Sequence, residues 1–343
     1  MKKKSWILLP LLLIKSFFSS AQPYPIDSIK FFLDEGLVDI TLTTDIKKLQ
    51  IKGNIDAYQD ADISCRFPDS TTINEKIRMC ARGKSRREAC YIPPIMLDFH
   101  TPTSPKLYSL SKLKLVIGCG TSSMDEQLLL KEFLIYKIYN LLEEKSFRAR
   151  LVRVNYRDSR NKMKPYSQYA YLLEDIDDLA QRNGCIASKK ISYQIDEMDR
   201  AKMNLVDIFE YMIGNTDWSV SANHNIKPIF PRNDNMAKGF PIPYDFDNAG
   251  LVNAYYVAPN EILGIENVTQ RVYRGFPRKM DEIERTLDIF KAQKEKITAL
   301  IKGFELLKAN TKTEILDYLE GFYKIIDDKT QAQNIFIKGA RVN

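Results

Sequence analysis

The stretch from Val206 to Asn253 constrains the fold more than any other part of the chain. It opens as an amphipathic helix, with Val206, Phe209, Tyr211 and Ile213 among its apolar positions, and stops at Gly214, a residue that readily takes the left-handed cap. A polar loop follows, carrying Asn215, Asp217, Asn223, His224 and Asn225. Residues 226–230 read as a short strand, Pro231 to Lys238 as turn material, and residues 240–244 as a second strand ending in Asp245-Phe246-Asp247-Asn248. A hairpin of this kind brings the Asp217 loop and the Asp245 turn to the same end. Carboxylates and carboxamides gathered there are what a Mg²⁺–phosphate site needs: hard oxygen ligands and a carboxylate to orient a nucleophile. Each motif alone equally fits an ordinary turn, because Asp and Asn favour turns. Their order, separated by one strand pair, is what carries the chemistry.

The 343 residues suffice for two lobes or domains, and 44% hydrophobic with 28% charged residues is ordinary for a chain that buries a sizeable core. Met1 to Ala21 reads as a secretory leader: a Lys2–Lys4 n-region, a short apolar run from Trp6 to Ile14, and Ser19-Ser20-Ala21 before Gln22. The apolar run is too short to span a bilayer. An amphipathic N-terminal helix is the alternative. No later segment reads as transmembrane, so the expectation is an exported chain, placed in the periplasm, on the outer surface or secreted. Lys2, Lys3, Lys4 and Lys15 contribute four of the +7 net charge, and the remaining +3 gives no argument for nucleic acid. Of the five cysteines, Cys90 and Cys119 both lie beside strands and are the pair offered for a disulfide in an oxidising compartment. No CxxC zinc pattern is present, and His100 and His224 are the only histidines.

Residues 37–44, 49–52, 62–67, 76–82, 92–99 and 113–117 read as short strands. Gly83-Lys84-Ser85 is no P-loop, because Arg78 stands where that motif needs its first glycine. Gly118-Cys119-Gly120 is only weakly a phosphate loop. Ser123 to Lys145 is the clearest helix of the first half, capped by Ser123 with Glu126 at the capping-box position. Residues 148–156 and 166–173 form a strand pair around a polar turn, running into Glu174-Asp175. After Asp196 the chain turns helical apart from the hairpin, with long amphipathic helices over 277–307 and 312–326.

Several of these pieces resemble the spore-coat protein H (CotH) kinase family, in a Bacteroidetes-type secreted branch with kinship to HipA-type and phosphoinositide kinases. They are Ala81-Arg82-Gly83, Leu172-Leu173-Glu174, Ile213-Gly214-Asn215-Thr216-Asp217 with His224-Asn225, and Pro243-Tyr244-Asp245-Phe246-Asp247, covering roughly residues 75–250. The resemblance implies an α+β, two-lobed protein-kinase-like fold: a leader over 1–21, a strand-rich N-lobe with one long helix over 22–175, and a mainly helical C-lobe over 176–343. It implies transfer of the ATP γ-phosphate, with Mg²⁺ or Mn²⁺, to an acceptor that could be protein, lipid, glycan or small molecule. Asp217 takes the catalytic place, orienting the acceptor hydroxyl and taking its proton. Asn225, Asp245 and Asp247 take the metal places, and Arg82, Lys114, Glu132 and Glu174 the nucleotide places. Lys84 and Lys112 are further candidates for the phosphate-binding lysine, and Glu126 for its helix partner. Ala222 stands where the usual catalytic loop has its asparagine, so this loop is longer. An inactive nucleotide-binding relative, a Mg²⁺-dependent phosphohydrolase and a structural cell-envelope protein stay open beside the phosphotransferase. A Ser-His-Asp hydrolase ranks low, since no GxSxG elbow occurs.

Overall fold

Among the described residues, alternation of apolar and polar side chains builds seven strands in the first half: β1 (Val38–Thr44), β2 (Gln59–Arg66), β3 (Thr72–Ala81), β4 (Ile95–Asp98), β5 (Lys112–Ile117), β6 (Ala149–Asp158) and β7 (Tyr166–Leu173). The computed structural model describes residues 30–51, 57–83, 90–100, 102–108, 110–234 and 236–341. The leader expected over 1–21 and the basic run Lys84 to Arg87 lie outside the described residues.

The seven strands form a closed barrel in the order β1-β2-β3-β4-β5-β7-β6. Closure comes from a parallel ladder between β1 and β6, with Val38 opposite Val152 and Thr44 opposite Asp158; the other ladders are antiparallel. This corrects the expectation of a two-lobed protein-kinase-like fold. The strand-rich half is a closed barrel of mixed parallel and antiparallel ladders. The closing partners are more than a hundred positions apart in sequence. Periodicity within a strand says which face is buried but not which distant strand lies beside it.

Period-two alternation gives the barrel two distinct faces. Ile40, Leu42, Ile63, Met79, Leu97, Leu115, Val154 and Leu172 fill its interior. On the outside of β5, β6 and β7, Val116, Leu151, Tyr171 and Leu173 join a second core with the long helix and the C-terminal half. The short turn α1 (Ile46–Leu49) precedes β2, and the long helix α2 (Ser123–Leu142) packs on this outer face. Its capping box is one residue earlier than expected: the Ser122 hydroxyl accepts from Asp125 N at 3.2 Å, and Asp125 Oδ2 accepts from Ser122 N at 3.1 Å. Two serines followed by two acids give the sequence two equivalent frames, and Ser122–Asp125 is the one adopted.

The second half holds α3 (Ile176–Arg182), β8 (Cys185–Ala187), α4 (Arg200–Ile213), β9 (Ile226–Pro231), β10 (Phe240–Pro243), α5 (Met280–Gly303), α6 (Ala309–Asp327) and α7 (Lys329–Gln333). Strands β10-β9-β8 form a small antiparallel sheet, and the expected hairpin pairs Phe240 with Ile229 and Pro243 with Ile226. Ile283, Leu287, Phe290 and Ile297 form the buried stripe of α5. No described helix is long and apolar enough to cross a membrane.

Cys90 and Cys119 form a disulfide, as the sequence suggested, and the adjacent Tyr91 N donates to Cys119 O at 3.0 Å. The bond fastens the segment leading into β4 to the end of β5. Cys65, Cys80 and Cys185 are buried thiols. Thiol labelling of denatured, unreduced protein should therefore find three reactive cysteines. Replacing Cys90 and Cys119 by Ser should cost about 3–4 kcal/mol in denaturant unfolding, the loop-closure value for a span of this length.

Candidate functional site

A cleft of about 750 Å³ lies between the outer face of the barrel and the hairpin of the second half. Alternation along β5 sends Leu113, Leu115 and Ile117 into the barrel core and leaves Lys114 and Val116 facing the cleft. Arg82, just beyond β3, joins them from two strands away, across β4. Helix α2 supplies Glu132 and, one turn later, Tyr136. The opposite wall is Asp217, His224 and Asn225 from the loop after α4, with Asp245, Asp247 and Asn248 from the turn after β10. Seven of the eight residues proposed from sequence thus meet in one cavity.

Glu174 is the exception. Its carboxylate is 3% exposed and takes Arg182 bidentately at 2.7 and 3.0 Å, together with Arg148 N at 3.0 Å. It fastens α3 to the end of β7 and does not line the cleft, which corrects its placement in a nucleotide site. Lys84 lies outside the described residues. The glycine loop after β5 also has a structural explanation. A Cβ on Gly120 would stand 2.3 Å from Asp125 Oδ2, so the carboxylate of the α2 capping box occupies that space.

Three side chains hold Asp217. Asn225 Nδ2 donates to Asp217 O at 2.7 Å and to its Oδ2 at 3.2 Å, Asn248 Nδ2 reaches the same Oδ2 at 2.9 Å, and His224 Nε2 lies 2.9 Å from Oδ1. An ionised carboxylate only accepts, so His224 carries its proton on Nε2. The Asp217 side chain remains 43% exposed, oriented yet open to an incoming hydroxyl. Behind it, the Arg274 guanidinium donates to the carbonyls of Thr216 and Trp218, clasping the loop. Ser219 Oγ pairs with Ser221 Oγ at 3.1 Å, and the His224 ring is turned to Asp217, so no serine is activated by this histidine.

The loop and the acidic turn are fastened together at their roots. Gly214 caps α4 at φ +68°, and a Cβ there would stand 2.0 Å from the Tyr318 hydroxyl. Its carbonyl accepts from Gly250 N at 3.0 Å. Asn223, Asn225 and Asp245 all have positive φ, at 48°, 54° and 64°. Asn and Asp tolerate this region better than other residues with a side chain, and such strain concentrates at functional sites. Asp245 is positioned from the far side by α2, where Asp245 N donates to the Tyr136 hydroxyl at 2.9 Å. Phe246 turns inward to pack on Tyr136 and Phe209, at ring distances of 4.8 and 5.7 Å.

Among the described residues, no three His, Cys, Asp or Glu side chains converge as a ready-made cation cage. Asp245, Asp247 and the carboxamide of Asn225 are nonetheless hard oxygen donors. With its Nδ2 committed to Asp217, Asn225 has only its oxygen left to offer. Such a set suits Mg²⁺ or Mn²⁺, which keep several waters and take further oxygens from substrate phosphates. Across the cleft, the Lys114 ammonium rests 5.1 Å above the Tyr244 ring. Burial pulls its pKa down to about 8, helped by the neighbouring charges of Lys227 and Arg82, against an opposing pull from Asp245. The cleft is therefore cationic on its barrel wall and anionic on its hairpin wall.

Sequence reasoning passed over Asn248, Tyr136, Tyr244 and Arg274. Asn248 directly follows a nominated acid and was within reach. Tyr136 reads as one more apolar position of a helix stripe, and Arg274 lies far along the chain from the loop it clasps. No family model and no curated protein matches the chain.

The half-buried ammonium yields a stability test. The folded state gives up the Lys114 proton at about pH 8, whereas the unfolded chain keeps it to about 10.5. Below pH 8 the folded state bears the full desolvation cost, and this cost fades as pH rises through 8 towards 10.5. Lys114→Met should therefore raise the melting temperature at pH 7, with a gain that shrinks steadily between pH 8 and 10.

Proposed function

We propose that the chain is an exported phosphotransferase that moves the terminal phosphoryl group of ATP to a hydroxyl acceptor with Mg²⁺ or Mn²⁺. One observation carries this reading: Lys114 and Arg82 face Asp217, Asp245 and Asp247 across a single cleft. A polyphosphate needs cations along its chain, oxygens to share a divalent ion, and a carboxylate beside the terminal phosphorus. The order Asp217, Asn225, Asp245 that resembles the CotH-type kinases supports the same chemistry, here beside a closed barrel. The Cys90–Cys119 disulfide supports an oxidising compartment.

In this reading Arg82 and Lys114 hold the phosphates, and Asp245, Asp247 and Asn225 would hold the metal. The metal would neutralise phosphate charge. Asp217 receives the acceptor's proton, and the Asn225 and Asn248 carboxamides keep its carboxylate aimed without neutralising it. A second reading, an inactive nucleotide binder, is favoured by one contact: the Lys114 ammonium, the candidate for holding phosphates, rests on the Tyr244 ring.

Two carboxylate substitutions separate the roles. Asp245→Asn should abolish metal-dependent nucleotide binding with the fold intact. Asp217→Asn should leave nucleotide binding nearly unchanged yet slow phosphoryl transfer about 100- to 10,000-fold, the usual loss for a positioned base. Equal losses of melting temperature in both variants, with no change in any ligand response, would reduce both to structural turns.

A further inference from the structure

Asp217 has a second side. A cavity of about 300 Å³ adjoins the cleft and shares Asp217, Asn248 and Val257 with it. The hydrogen-bonded pair of Asp217 and Asn248 is thus the partition between the two spaces. Beyond the partition, the walls are Pro259, Ile265 and Val268 on the apolar side and Thr216 and Asn260 on the polar side. No lysine or arginine lines this cavity among the described residues, in contrast to the cationic wall of the cleft.

The cavity is preformed. Its far wall is the segment after Ala254, where Ile265 is 8% exposed. Gln270 Oε1 accepts from Glu266 N and Asn267 N, closing the turn, and the Tyr318 hydroxyl donates to Thr269 O at 3.2 Å. A Cβ on Gly250 would stand 2.6 Å from Val268 O, so this wall lies directly on the root of the acidic turn.

We propose that this cavity binds a neutral, hydroxyl-rich molecule of monosaccharide size, presenting one hydroxyl to Asp217. The chemistry of the lining selects the class. Carboxamides, a threonine hydroxyl and a carboxylate suit several neutral hydroxyls, each a donor and an acceptor. Val257, Pro259, Ile265 and Val268 suit the C–H face of a ring. A carboxylate in a lining that holds no lysine or arginine among the described residues disfavours phosphorylated or acidic ligands. The volume is at the small end for a small-molecule site. The assignment of this molecule as acceptor rests on the phosphotransferase reading; its binding does not. In the transfer, the acceptor oxygen forms a bond to the γ-phosphorus. The bond from that phosphorus to the β,γ-bridging oxygen breaks, ADP leaves with the electron pair, and the hydroxyl proton passes to Asp217.

Saturation-transfer NMR on the full chain without nucleotide tests the binding. The probes are glucose, N-acetylglucosamine and myo-inositol, with glucose 6-phosphate and a serine-containing peptide as comparators. At least one neutral probe should show saturation, the two comparators none. Val268→Trp, which fills the cavity, should weaken that probe on the order of tenfold or more. Ala258→Trp at an exposed rim position should act in the same direction and covers the case in which Val268→Trp does not fold. Silence of every neutral probe, binding of the anionic or peptide comparator alone, or neutral binding unchanged in both variants would overturn the proposal. Neutral binding with no ATP-dependent phosphorylation in Mg²⁺ would instead overturn the phosphotransferase reading and leave the cavity assigned.

Discussion

The structure depends on one strand pair, β5 with β7, being buried on both faces. Leu115 and Leu172 point into the barrel, while Val116, Tyr171 and Leu173 point the other way, into the core shared with α2 and the second half. Two cores built on one ladder cannot shift independently, because packed interiors resist small displacements. That rigidity fixes Lys114 on the barrel against Asp245 on the hairpin. The link is completed by α2, which packs Tyr136 against Tyr171 at 5.6 Å and whose Tyr136 hydroxyl accepts from Asp245 N. The cationic and the anionic walls of the cleft are thereby held by the same helix.

The acidic wall is organised around Asp217 without a lysine or arginine on its carboxylate among the described residues. Asp217 is aimed by two carboxamides and an imidazole, and the arginine behind its loop binds carbonyls, not the carboxylate. An arginine directly on Asp217 would hold its charge and lower its use as a proton acceptor. Beneath the loop, Glu210 is fully enclosed, and burial pushes its carboxyl well above the usual range. The price in backbone strain is taken by Asn223, Asn225 and Asp245, residue types that tolerate the left-handed region.

The hairpin end of the site was legible because it is local. Helix, cap, loop, strand, turn and strand follow one another within about fifty residues, and only one arrangement returns Asp245 to Asp217. Lys114 was legible as one of four cations, and alternation along β5 singles it out once the inner face is known. Glu174 was misplaced because an acid following a strand looks the same whether it faces a ligand or an arginine such as Arg182 eight positions on. Barrel closure left no local mark, since Val38 and Val152 are both simply apolar alternating positions. Tyr136 hid in a helix stripe, where its ring is core and only its hydroxyl reaches the acidic turn.

The central claim is that the cleft takes a metal–nucleotide complex between its two charged walls. The most direct test is the melting temperature of the full chain with ATP, with and without Mg²⁺ or Mn²⁺. A ligand that binds the folded state alone stabilises it in proportion to the logarithm of its excess over Kd, about 3 kcal/mol at a hundredfold excess. The account predicts a clear rise with ATP and metal together, a much smaller one with ATP alone, and its loss in Asp245→Asn. A melting temperature indifferent to every combination of ATP and metal would contradict it.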